Sequence, residues 1–153
     1  VVDKFWFSTQ NPRNKFTETN GTFAEFIDEY VRGVQRTMDM LGDLIGAERE
    51  KVAQGKFTYH AQYFHFLFQL LQYDPDAKEK LRNLVDGDYA YWRAAIQHAI
   101  ATGELREDVD VEDAVVMFRQ VYMGLSFEMA FMGGLNTQRL AKHLHAVYSL
   151  LKR

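Results

Sequence analysis

The segment GELREDVDVEDAVVMFRQVYMGLSFEMAFMGG, from Gly103 to Gly134, holds a helical pattern that is apolar on two opposite faces. A helix that packs only on its own core needs one such face. At about 3.6 residues per turn, Ala114, Met117, Phe118, Val121, Tyr122, Leu125, Met129 and Met132 fall together and form the expected core side. Val116, Met123, Phe127, Ala130 and Phe131 gather roughly opposite, where an exposed helix carries charge. An apolar patch rimmed by polar groups marks an interaction surface. Two arrangements satisfy the pattern: a central helix buried on all sides within one chain, or a helix shared between a core and a partner.

The flanking elements are also helical. Gly103 suits the left-handed position after a helix end, and Asp110 is placed to cap the next helix, with Glu112 and Asp113 near its positive end. Upstream, Thr22 and Glu25 form a capping box. It opens a helix whose stripe is Phe23, Phe26, Ile27, Tyr30, Val31, Val34, Met38, Leu41 and Ile45, with Gly46 as its expected end. From about Thr58 to Tyr73 the pattern is apolar nearly all round, which predicts a helix inside the fold. Asp74 and Pro75 supply a cap and a first-turn proline for a long helix to about Thr102. Its stripe is Leu81, Leu84, Val85, Trp92, Ala95, Ile96 and Ala99. A last amphipathic helix carries Leu140, Leu144, Val147, Tyr148 and Leu151 on one side. With no strand, repeat or low-complexity tract, the expected fold is all-α, a bundle of about six main helices around Phe26, Tyr30, Leu67, Trp92, Phe118 and Tyr122.

A chain of 153 residues with 47% apolar and 14% aromatic content is expected to form one domain, 1–153, with a sizeable core. Its formal charge of -3 provides no basic footprint for nucleic acid, so this chain alone is not expected to hold DNA. No secretory signal pattern opens it, which makes the cytoplasm the expected compartment. The charge-free run from Phe57 to Tyr73 is shorter than a membrane span and is interrupted by His and Gln residues. No membrane partner is expected.

Chemistry is sparse. The chain lacks cysteine, a Glu-x-x-His motif, a G-x-S-x-G elbow and a phosphate-cradling loop. His60 and His65 are five apart, and His143 and His145 two apart, so neither pair shares a helical face. No catalytic residue, metal ligand or cofactor is expected. Two carboxylates, however, stand in apolar company: Asp88, in the centre of the stripe around Val85 and Trp92, and Glu128, at the edge of the stripe around Leu125 and Met129. A buried carboxylate needs a partner, a proton or water. Pairing with Arg93 or Arg119, or release to solvent beside Gly87, would meet that need. The other reading is a ligand cavity lined by Tyr30, Tyr63, Phe64, Asp88, Trp92, Phe118, Tyr122 and Glu128, for which a flat apolar molecule or a lipophilic cation is the fitting occupant.

The order of elements, with its G-E-L-R-E-D-V-D turn, an A-x-x-x-F-x-x-x-Y-x-G-like helix and a final amphipathic helix, resembles the C-terminal end of TetR-family transcriptional regulators. The resemblance implies an effector-binding and dimerisation domain whose last two helices, at about 111–133 and 136–152, join two copies as a four-helix interface. Met123, Phe127, Ala130, Phe131, Leu140 and Leu144 are the expected contacts, and Gly124 would permit close approach nearby. The resemblance also implies that a small-molecule effector modulates DNA binding by a head preceding this chain. Val1, Val2, Phe5, Trp6 and Phe7 read as the middle of an apolar helix without a cap, in keeping with a missing upstream segment. A different class stays open: a haem-binding or other small-molecule-handling helical protein, for which His65 or His98 would have to face a cavity.

Overall fold

The computed structural model describes residues 21–45 and 59–153, with side chains from 21–40 and 64–153. Within them the chain forms five helices: α1 (Phe23–Ile45), α2 (Tyr59–Tyr73), α3 (Ala77–Ala101), α4 (Val111–Ala130) and α5 (Thr137–Leu151). The fold is all-α. Its sole extended pairing among the described residues is an isolated antiparallel bridge between Leu105 and Lys152. The expected apolar helix at Val1 to Phe7, the end at Gly46 and the side chains of Leu41, Ile45 and Tyr63 lie outside the described residues.

Local chemistry explains most helix ends. The Thr22 hydroxyl accepts from Glu25 N, and the Glu25 carboxylate accepts from Thr22 N, the reciprocal capping box. Asp110 accepts from Asp113 N at the start of α4, and Asn136 accepts from Gln138 N and Arg139 N at the start of α5. Gly103 follows α3 with φ of +81°, a left-handed conformation that L side chains rarely adopt. One boundary differs from the sequence expectation: α3 begins at Ala77, with Asp76 at its N-cap position, rather than at Pro75. Asp74 instead accepts from Asp76 N, closing a side-chain turn that holds Pro75 outside the helix.

The main core joins α1, α3, α4 and α5. Phe23, Phe26, Ile27, Tyr30, Trp92, Ile96, Phe118, Leu140 and Leu144 are buried in it, and Tyr122 packs half-buried against it. At its centre the Trp92 and Phe118 rings stack with centroids 4.9 Å apart, and Tyr30 lies 4.7 Å from Trp92. Leu67 belongs to a separate, smaller cluster with Leu70 and Ala77. That places α2 at the edge of the bundle, not inside it: Phe68 is 62% exposed, and Leu71 and Tyr73 also face outward. An all-round apolar pattern names no buried face, so position in the bundle decides which side is covered.

The face division of α4 follows the two-sided reading with three exchanges. Ala114, Phe118 and Met129 are buried and Val121, Tyr122 and Leu125 half-buried, while Val116, Met123, Phe127 and Phe131 are exposed. Met117 and Met132, expected inside, are exposed, and Ala130, expected outside, is buried. Each lies at a boundary or an end of the helix, where a flexible Met side chain or a small Ala follows the neighbouring surface.

Candidate functional site

The expected pocket residues divide into groups. Tyr30 of α1, Asp88 and Trp92 of α3, and Phe118 and Tyr122 of α4 come together. Phe64 does not join them; its ring packs 5.7 Å from Phe127, between α2 and α4. Glu128 is exposed on α4 and is not a lining residue. Leu125 and Met129 take the core positions beside it, and the helix turns its carboxylate outward, where hydration costs nothing.

Asp88 is buried and fully engaged. Arg119 Nη1 lies 2.7 Å from Asp88 Oδ2, each side chain only 6% exposed. The Tyr30 hydroxyl donates to the same carboxylate oxygen at 3.0 Å, and Arg119 Nη1 also reaches the Tyr30 oxygen at 3.4 Å. Three helices therefore meet at one polar knot. Of the two pairings read from sequence, Arg119 makes the bond, whereas Arg93 pairs at the surface with Glu112. The Arg119 guanidinium also lies over the rings of Tyr89 and Tyr122, 5.4 and 5.5 Å from their centroids.

Electrostatics favour a protonated Tyr30 and a charged Arg119. Burial, with the nearby Asp88 charge, holds the Tyr30 hydroxyl well above its ordinary pKa. Burial works against the charge on Arg119, yet Tyr30 and Asp88 hold its pKa above the usual arginine value. A cation seeking Asp88 thus meets a carboxylate already neutralised, which removes the basis for the lipophilic-cation expectation.

Besides Trp92 Nε1 in the aromatic core, two polar groups near the knot are left over. Arg119 Nε and Ser126 Oγ are buried and have no hydrogen-bond partner among the described residues. They lie on the same flank of α4, seven residues apart, with Tyr122 between them. In the sequence, Ser126 is marked only as a polar interruption spaced i, i+7 from Arg119 in an apolar helix.

No family model, curated protein or solved structure matches this chain.

The expected dimer contacts also separate. Val116, Met123 and Phe127 on α4, with Phe131 at its C-cap, form an outward stripe, with Phe127 50% and Phe131 72% exposed. The Phe127 and Phe131 rings meet edge to face at 5.1 Å. Leu140 and Leu144 are fully buried in the chain's own core and cannot reach a partner, and Ala130 is likewise covered. Of the α5 stripe, Leu140 and Leu144 are spent on the chain's own core and Val147, Tyr148 and Leu151 pack half-buried against it, while Leu150 is exposed. An added Cβ at Gly124 would meet nothing within 4 Å, so its backbone lies open beside the α4 stripe.

A second long-range device lies at the other end of the bundle. Glu104, on the turn after α3, accepts from Phe23 N at 2.7 Å and Ala24 N at 3.3 Å, and from the Tyr148 hydroxyl at 3.0 Å. Its carboxylate thus serves the positive end of α1 and ties it to α5. No sequence pattern announces a cap 80 residues away. His65 and His98, the histidines the haem-binding alternative would use, are both exposed. No helix among the described residues is long and apolar enough to cross a membrane.

Proposed function

We propose that this chain is the effector-binding and dimerisation region of a TetR-like transcriptional regulator, acting in the cytoplasm. A small molecule held in its interior would modulate DNA binding by a head that precedes it. The observation that carries the reading is the outward stripe Val116, Met123, Phe127 and Phe131 on the penultimate helix, whose opposite face is core. Apolar side chains of this size in one row favour burial against a second copy, at roughly 25 cal/mol for each Å² removed from water. A two-fold arrangement would place the stripe against itself and bury roughly 2,000 Å² or more in total if the dimer is obligate.

The interior supports the effector half of the reading through a polar knot in an aromatic core, with donors left over beside it. No catalytic role is proposed for any of these side chains.

Sedimentation of the purified chain tests the proposal. The expected result is a dimer at micromolar concentration, converted by Met123→Glu with Phe131→Glu into a monomer of unchanged helical content. These two positions are chosen because Phe127 also packs on Phe64 of its own chain. A wild-type monomer, or a dimer indifferent to both charges, would sink the dimer reading.

A further inference from the structure

We infer that the flank of α4 bearing Arg119 and Ser126 recognises an apolar molecule through a neutral hydrogen-bond acceptor, a ketone, ester or amide carbonyl. This deepens the effector-binding part of the proposed function and rests on it.

The argument starts from unspent hydrogen-bonding capacity. A guanidinium has five N–H donors and no acceptor. Nη1 of Arg119 is committed to Asp88 and Tyr30, and buried Nε has no partner among the described residues. Ser126 Oγ, in a residue only 3% exposed, is in the same position. Leaving such a group unmet is destabilising, and native interiors leave few unmet. Two of them lie on one flank of one helix, spaced i, i+7, each buried with its donor unmet. Between them in sequence, the half-buried Tyr122 ring packs against the Arg119 guanidinium, as the Tyr89 ring does.

Charge then selects the ligand. Asp88 already balances Arg119 at 2.7 Å, so the knot as a whole is neutral. A carboxylate ligand would bring an uncompensated charge into a buried place, which is strongly penalised. A cation would find Asp88 Oδ2 taken by Arg119 and Tyr30 and only donors on offer from Arg119. A neutral carbonyl accepts from Arg119 Nε–H or from the Ser126 hydroxyl without adding charge.

Three probes of one size separate these cases: 2-acetylnaphthalene, 2-naphthoate and 2-naphthylmethylammonium, each titrated calorimetrically into the full chain. The ketone is expected to bind at least about tenfold more tightly than either ion. Ser126→Ala, a small change, is expected to weaken the ketone about three- to tenfold while the circular dichroism and thermal midpoint stay in place. Arg119→Met would test the other donor, but its loss strands Asp88 and threatens the fold, so Ser126→Ala decides. Preferential binding of either ion, or a ketone affinity unmoved by Ser126→Ala, overturns the carbonyl assignment and leaves effector binding standing. Absence of binding by all three at millimolar concentration overturns both.

Discussion

Arg119 and Asp88 join α4 to α3 through a 2.7 Å ion pair from which water is almost wholly excluded, and the Tyr30 hydroxyl brings in α1. A buried pair of this kind costs desolvation on both sides, so its value lies less in net stability than in the penalty for losing one partner. Arg119→Met is therefore expected to destabilise the chain by about 3–5 kcal/mol, because Asp88 is left buried and charged. The double change Arg119→Met with Asp88→Leu is expected to recover most of that loss. Urea denaturation of the four proteins in the cycle measures the coupling, and simple additivity would contradict it.

Leu144 separates the core from the proposed interface. It is fully buried by its own chain, so Leu144→Ala is expected to lower the stability of the folded monomer unit by about 2–5 kcal/mol. Its effect on dimerisation should be no larger than that loss explains. By contrast, Phe131→Glu should leave unfolding of the monomer within about 0.5 kcal/mol, as expected for an exposed site. Chemical denaturation at several protein concentrations distinguishes the two.

Glu104→Gln is expected to cost about 1–2 kcal/mol, since it removes the charge from a carboxylate that accepts two first-turn N–H groups of α1 and the Tyr148 hydroxyl. Hydrogen exchange should quicken first at Phe23 and Ala24. Unchanged protection there would argue against the cap.

Tyr30 sets a pH dependence. Its folded-state pKa is raised, first by burial and then by Asp88, well above the ordinary 10.0. Below pH 10 the hydroxyl is protonated in both folded and unfolded chains, and its contribution is fully present. Above it the unfolded chain loses the proton and the folded one keeps it, so stability falls as pH rises toward the folded pKa. Tyr30→Phe should be weaker at neutral pH by about 1 kcal/mol for the lost hydrogen bond, yet show a shallower alkaline decline. Thermal midpoints from pH 9 to 11.5 provide the readout, with Tyr148, also raised by burial and by its bond to Glu104, contributing in the same direction.

The helices and most of their ends were legible in the amino-acid sequence because they rest on local physics. The Thr22–Glu25 box, the Asp110 cap, the left-handed Gly103 and the period of α1 all depend on residues within a few positions of one another. The two-sided character of α4 was legible for the same reason. Periodicity also flagged Asp88 as a carboxylate in need of a partner. What it could not decide was which of Arg93 and Arg119 would answer, since that depends on how α3 and α4 are rotated against each other. Nor could it show that Glu128 turns outward, that α2 lies at the edge, that Leu140 and Leu144 serve their own core, or that Glu104 crosses to α1. A helical pattern specifies a face, but only packing among helices specifies what that face meets, and these outcomes depend on contacts between residues far apart in the chain.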